Sequence, residues 1–222
     1  MLNESAKKSV LAGMLIAFGG LFSAASAEYG NVVQGLCFSV GLLGVLLCGA
    51  RLFTGQVLMV QDVWDGKVGA AELLCRWAQT WALNFVGAAA VSATAYAGGF
   101  VSVGAAVAKA ALPSTILFYR AILCNVMVCM AVRCYRRSDE SPASAAFSTL
   151  LPVACFVACG FEHSVADMLY MTMGAMNGAV GIGALARVIC VATLGNVVGG
   201  SLFAWLVGGR VSSEGVGDGQ ES

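Results

Sequence analysis

The chain contains one histidine, His163, which stands beside Glu162 in the run Gly160-Phe-Glu-His-Ser164, between two apolar stretches. An imidazole can donate a hydrogen bond to an anion or pass a proton near neutral pH. Ionisable groups at membrane depth are costly and usually face a cavity or a partner. We therefore favour a role for His163 in an ion pathway over a structural role, in which its ring would bond only to backbone.

Three further polar side chains interrupt apolar sequence: Thr54, Asn125 and Asn196. The hydroxyl of Thr54 could bond a permeating anion or His163, or it could cap carbonyl groups that a helix break exposes. Backbone that is not helical must be satisfied at membrane depth. We expect the amides of Asn125 and Asn196 to hold such backbone rather than to contact a substrate.

The composition indicates a membrane protein. Hydrophobic residues make up 59 % of the 222 residues and charged residues 11 %, whereas soluble domains carry about 25 % charged residues. A net charge of zero gives no basic surface for nucleic acid. The nine cysteines are an odd number, lie mostly in apolar runs and are interpreted as helix-packing residues. We expect surrounding lipid, and neither a metal nor a cofactor.

The apolar stretches predict an all-α integral membrane protein with six transmembrane helices. Each stretch is long enough to cross a bilayer, for which about 20 residues suffice. The second and fifth stretches are too long for one straight span and contain polar interruptions, so both are predicted to be broken helices. The predicted spans are 9–27, 31–62, 70–97, 113–133, 144–173 and 180–209.

An internal repeat at an offset of about 111 residues relates two halves of one channel domain, about 1–111 and 112–210. Leu47-Cys-Gly49 corresponds to Ala158-Cys-Gly160, and Asn84-Phe-Val-Gly87 corresponds to Asn196-Val-Val-Gly199. Because an odd number of spans separates the copies, the halves must be inverted, and such repeats place a transport site near the midplane. The match needs the first apolar run, so we interpret that run as a retained helix rather than a signal peptide.

The basic residues predict the orientation, because cytoplasmic connections carry an excess of Lys and Arg. With the N-terminus inside, the outer connections contain only Lys109, which is expected at a vestibule. Arg120 and Arg187 fall in the outer half, where we expect them to reach outward or bond between subunits rather than to serve the pore. We also predict that the protein lies in the inner membrane with both termini in the cytoplasm. Residues 211–222 are predicted to form a disordered cytoplasmic tail. The cytoplasmic basic residues are Lys7, Lys8, Lys67, Arg76, Arg133, Arg136, Arg137 and Arg210.

These motifs together resemble the formate/nitrite transporter family. The resemblance implies an aquaporin-like six-helix protomer in a homopentamer, with one pore in each protomer. It implies small monovalent anions as substrates, such as formate, nitrite, hydrosulfide, acetate or lactate. The matching motifs are Leu52-Phe-Thr-Gly55, Leu123-Cys-Asn125 with Val128-Cys129, Gly160-Phe-Glu-His-Ser-Val-Ala166 and Gly195-Asn-Val-Val-Gly199.

The resemblance also implies roles for individual residues. His163 resembles the family's central pore histidine, Thr54 its Ω-loop threonine and Lys109 its vestibule lysine. Asn125 and Asn196 resemble the asparagines that support the broken segments. Apolar residues near the breaks are candidates for constrictions, and all but Phe53 match the family's two constrictions: Phe38, Leu42, Leu52, Phe53 and Phe156.

Two residues depart from the family pattern, in which glutamate precedes Leu-Phe-Thr-Gly and asparagine follows the histidine by four residues. This chain has Arg51 and Asp167 at those positions. The two changes are opposite in sign and lie near the two breaks. We therefore predict that Arg51 and Asp167 form a charge pair.

The sequence thus predicts a channel for weak-acid anions rather than an enzyme, because a lone histidine offers no nucleophile pair or metal cluster. Taking a bare anion through an apolar constriction is costly, so a proton is expected to join the anion. We expect a mostly neutral His163 that donates a hydrogen bond and transiently shares a proton. A proton-coupled secondary transporter that uses the same residues is the alternative. A neutral-solute channel of the aquaporin kind would need paired Asn-Pro-Ala loops, which the sequence lacks.

Overall fold

The computed structural model describes residues 3–138 and 141–208. Every regular element in these two ranges is helical. Two short 3-10 helices, Ala27–Tyr29 and Val57–Met59, accompany the α-helices. The α-helices are α1 Glu4–Ala25, α2 Asn31–Leu47, α3 Phe53–Gln56, α4 Val60–Trp64, α5 Ala70–Ala97, α6 Gly104–Ala111, α7 Ser114–Arg136, α8 Pro142–Ala158, α9 Ser164–Met176 and α10 Ile182–Val207.

Three of these helices, α1, α7 and α10, are long and apolar enough to cross a membrane by length and composition. Helices α2 and α8 are apolar but shorter. Many large apolar side chains on the outside of the molecule are exposed, among them Val32, Leu47, Ile182 and Trp205. Such a surface suits lipid or a neighbouring protein rather than water.

The observed helices differ from the predicted spans in informative ways. Helix α5 has the predicted bounds of 70–97, whereas the span predicted over 31–62 divides where α2 ends at Leu47 and α3 begins at Phe53. The span predicted over 144–173 divides between α8 and α9. Helix α6 was not predicted, because eight residues are too few for a periodic pattern. Arg210 and the predicted tail over 211–222 lie outside the described residues.

The ends of α2 and α8 share one geometry. Gly49 and Gly160 follow the last helical turns with φ of +57° and +67°, a region that glycine enters without steric cost. The next residues, Ala50 and Phe161, donate backbone hydrogen bonds to the carbonyls of Val45 and Phe156, at 2.9 and 3.0 Å. These bonds close both helices in the manner of a Schellman motif.

Glycine also brings the long helices into close contact. A Cβ at Gly87 of α5 would overlap the carbonyl oxygen of Val10 in α1, and a Cβ at Gly199 of α10 would overlap the carbonyl oxygen of Ile122 in α7. Small residues allow such close approach between membrane helices. In this way α1 and α5 hold the region between α2 and α3, and α7 and α10 hold the region between α8 and α9.

Candidate functional site

The first interruption, residues 48–52, is held by Asn84 of α5. Its Oδ1 accepts a hydrogen bond from the N–H of Phe53, the first residue of α3, at 2.9 Å. Its Nδ2 donates to the carbonyls of Arg51 and Ser9, at 2.9 and 2.7 Å. Asn84 is fully buried, so one amide satisfies backbone groups that no helix could satisfy.

The second interruption, residues 159–163, is held in the same way by Asn196 of α10. Its Oδ1 accepts from the N–H of Ser164, the first residue of α9, at 2.9 Å. Its Nδ2 donates to the carbonyls of Glu162 and Ala121, at 2.9 and 2.8 Å. Asn84 was not among the predicted site residues, although the sequence repeat already aligned it with Asn196.

Asn125 of α7 links the two interruptions. Its Nδ2 donates to the carbonyl of Thr54 at 3.2 Å and to the carbonyl of Asn196 at 2.7 Å. The thiol of Cys129, one turn further along α7, also lies 3.8 Å from the Thr54 carbonyl. Asn125 and Asn196 therefore contact backbone, as expected from the sequence.

His163 caps the start of α9 and reaches across to the first interruption. Its Nδ1 accepts from the backbone N–H of Ala166 at 3.1 Å, and its Nε2 lies 2.9 Å from Oγ1 of Thr54. A backbone N–H can only donate, so Nδ1 must be unprotonated in this arrangement. The neutral ring therefore carries its proton on Nε2, which donates to the hydroxyl of Thr54.

A cavity of about 260 Å³ opens in front of this histidine. The rings of Phe38 and Phe156 border both the cavity and His163, with centroids 6.3 and 6.1 Å from the imidazole. The two phenyl rings meet edge to face at 5.8 Å. The two phenyl rings, here called the apolar collar, thus border His163 at the cavity.

The other three predicted constriction residues are buried, but they do not border this cavity. Leu42 and Leu52 belong to the continuous apolar core. The ring of Phe53 packs edge to face on Trp77 at 6.3 Å, which turns it toward α5. Phe53 therefore contributes to packing around the first interruption.

Lys109 of α6 lies at the mouth of the cavity and contacts two acids. Its ammonium group contacts the carboxylate of Glu162 and lies 2.8 Å from Oδ1 of Asp167. The side chain of Lys109 is 16 % exposed, whereas those of Glu162 and Asp167 are 3 % and 0 % exposed. One partly open ammonium thus faces two buried carboxylates.

The predicted charge pair between Arg51 and Asp167 is wrong. The carboxylate of Asp167 pairs with Lys109, whereas Nη1 of Arg51 donates to Oγ of Ser5 at 2.5 Å. The backbone N–H of Arg51 also donates to the carbonyl of Lys8. Arg51 therefore faces the start of α1, while Asp167 faces α6.

The two outer arginines also differ from the prediction. Arg187 bonds within its own chain, because its guanidinium donates to the carbonyls of Ala110 and Leu112 at 2.7 and 2.9 Å. These bonds close the end of α6. Arg120 borders the cavity beside Lys109 and Glu162, a placement that its position in an apolar helix did not reveal.

Comparison with known proteins identifies the wider group. Residues 2–208 match the model of the family described as formate/nitrite transporter. A probable formate transporter of Methanothermobacter thermautotrophicus is 32 % identical, over 88 % of this chain and 84 % of that protein. A nitrite transporter, NirC of Salmonella typhimurium, is 30 % identical over 79 % of this chain and 69 % of that protein.

Solved structures agree with the sequence relatives. An ion channel of the FNT family superposes with a TM-score of 0.85 and 26 % identity, over 91 % of this chain and 87 % of that chain. A pentameric formate channel with formate bound superposes with a TM-score of 0.74 and 25 % identity, over 92 % of this chain and 96 % of that chain. With its paired interruptions, its buried histidine and these relatives, the chain belongs to the formate/nitrite transporter family, whose members are membrane channels and transporters.

Proposed function

We propose that this chain forms a pentameric membrane channel for small monovalent weak-acid anions, with formate and nitrite as the first candidates and hydrosulfide as a third. Its relatives are named for formate and for nitrite, and one structural neighbour is described as a pentameric formate channel. The proposed pathway residues are His163, Thr54 and Lys109, and Asn125 and Asn196 support the pathway by holding the backbone around it.

The contact between Thr54 and His163 carries this proposal. It joins the last residue of the second interruption to α3, the helix that follows the first interruption, at 2.9 Å, and the rings of Phe38 and Phe156 border the histidine. Both ring nitrogens of this buried imidazole have partners, Nδ1 in the Ala166 N–H and Nε2 in the Thr54 hydroxyl. The second bond directs Nε2–H toward the place where an anion would pass.

The passing anion would accept the hydrogen bond from Nε2–H in place of Thr54, while the Thr54 hydroxyl turns to donate to the same anion. Protonating His163 at Nδ1 would break its bond with the Ala166 N–H, so the ring favours its neutral form. Nε2–H donates a hydrogen bond to the anion and keeps its proton, because loss of the only proton of this neutral ring would leave an imidazolate. The proton that forms the neutral acid comes from the solvent. The neutral acid is the form that leaves the collar most easily, because burial disfavours charge.

The matched hydrogen bonds support a proposal for the membrane arrangement. Asn84 and Asn196 make corresponding bonds at the repeat offset that the sequence shows. We propose six spans in two inverted halves, with the second and fifth spans broken at Gly49 and Gly160. Lys109 and the cavity would then lie toward the outside of the inner membrane, with Arg51 and both termini toward the cytoplasm. Leu42 and Leu52 would form the inner constriction.

The direct test is flux into vesicles that contain the purified protein. Formate, nitrite, hydrosulfide and acetate would each be presented with a chloride control, and proton movement would be recorded with a pH-sensitive dye. Flux of at least one weak acid above chloride is expected. A fixed proton-to-anion ratio with saturation at low concentration would favour the secondary transporter, and no flux of any weak acid would refute both.

A further inference from the structure

The charges around the cavity do not explain how an anion is attracted to it. Lys109 is engaged by two buried carboxylates, those of Glu162 and Asp167. When all three side chains are ionised, this cluster contains two negative charges against one positive charge. In that state an approaching anion would meet net repulsion from the cluster, so Lys109 alone would not attract it.

Arg120 supplies the missing charge. It borders the same cavity, and among residues 3–138 and 141–208 its guanidinium has neither a hydrogen-bond nor an ion-pair partner. The guanidinium of Arg187, by contrast, donates to two carbonyls of its own chain. With Arg120 included, the positive and negative charges at the cavity are equal in number.

The position of Arg120 is fixed by the second interruption. Its carbonyl accepts the backbone N–H of Glu162 at 3.4 Å. Its Nη1 extends over the turn at Gly160, 3.8 Å from the position that a Cβ there would occupy. The turn therefore leaves the guanidinium room to face the cavity rather than the helix bundle.

We propose that Arg120 binds the anion in the cavity before the anion reaches Thr54 and His163. A guanidinium presents paired N–H donors in a plane, which match two oxygens held on one atom. Formate and nitrite have that shape, whereas hydrosulfide has a single sulfur acceptor. Arg120 thus favours planar two-oxygen anions over hydrosulfide, an inference that rests on the proposed function.

The test compares Arg120→Gln and Arg120→Lys with the wild type in vesicles, and formate and hydrosulfide are the probes. Arg76→Gln serves as the control, because it removes one exposed cation that pairs with Glu72 on α5. Arg120→Gln is expected to raise the half-saturating formate concentration about tenfold and to weaken its dependence on ionic strength. Arg120→Lys should impair formate flux while leaving hydrosulfide flux near that of the wild type.

Each outcome decides the inference. Unchanged half-saturation for formate in Arg120→Gln would overturn it, and so would equal losses for formate and hydrosulfide in Arg120→Lys. If native mass spectrometry shows that both variants lose their oligomer while Arg76→Gln keeps it, Arg120 is a subunit contact and the inference fails. Absence of weak-acid flux in the wild type would instead overturn the proposed function.

Discussion

The two interruptions have the same backbone scaffold but different chemistry. Each contains a glycine with positive φ, and each is held by a buried asparagine with one accepting and two donating bonds. At the position before the next helix, however, the first has Leu52 and the second has His163. The preceding residues are Arg51 and Glu162, which have opposite charge.

The helices that follow the interruptions differ accordingly. His163 accepts the N–H of Ala166 and starts a helix of 13 residues, whereas Leu52 offers no side-chain cap and α3 is 4 residues long. Side-chain oxygens or nitrogens at a helix start satisfy N–H groups that otherwise have no partner. The two interruptions thus share the bonds that hold them and differ in the chemistry of the residues before the next helix.

The largest effect is expected from removal of the shared scaffold. Asn196→Ala leaves the Ser164 N–H and the Glu162 carbonyl without their side-chain partner in a buried place, and each such group costs about 1–3 kcal/mol. Asn84→Ala should destabilise the protein to a similar degree, since its bonds correspond one for one. Thermal unfolding in detergent measures both, with Asn177→Ala, which lies at an exposed position, as the control.

A clear difference between the two alanine variants would show that the scaffolds are not equivalent. A loss confined to Asn196→Ala, for example, would mean that the first interruption is held mainly by packing around Phe53 and Trp77.

The next effect concerns the chemistry of the second interruption alone. His163→Asn should keep the fold, because an asparagine oxygen can accept the Ala166 N–H as a helix cap, yet anion flux should fall and its pH dependence should change. His163→Leu should also lose the cap, which costs about 1 kcal/mol. Flux in vesicles from pH 5 to 8 checks the first claim and thermal unfolding checks the second. Wild-type flux in His163→Asn would remove His163 from the pathway.

A smaller effect is expected from changes at Thr54, the residue that contacts His163. Thr54→Val keeps the shape of the side chain but removes the hydroxyl that faces Nε2, so we expect flux to fall about tenfold with a loss of stability of about 1 kcal/mol. Thr54→Ser should retain most of the flux. If Thr54→Ser is as impaired as Thr54→Val, the methyl group rather than the hydroxyl matters at this position.

The smallest effect is expected for the coupling between two residues of opposite charge, Arg51 and Asp167. Arg51 and Asp167 pair with different groups, so the effects of Arg51→Glu and Asp167→Asn should add to within about 0.5 kcal/mol. Asp167→Asn alone removes the second carboxylate from Lys109 and should raise formate uptake at low concentration. A double-mutant cycle of unfolding free energies checks additivity. Mutual rescue by the two changes would restore the charge pair that the sequence suggested.

These comparisons explain what could be predicted from sequence. Charged and polar residues inside apolar runs indicated where α2 and α8 end, because such residues are costly at membrane depth. The sequence repeat aligned Asn84 with Asn196, and a stricter use of that repeat would have identified Asn84. Spacing along the chain does not say which way a side chain points, so it gave the wrong partner for Asp167. It also missed the placement of Arg120 at the cavity.

The use of Nδ1 of His163 as the cap of α9 has a consequence for the sign of the charge that can pass. The cap holds the ring in one rotamer and one tautomer, so a solute in the collar always meets an N–H and never a lone pair of this ring. A cation of similar size would find no acceptor from the imidazole at that point and would lose its hydration without replacement. In the proposed channel, the start of a helix would thus discriminate between anions and cations.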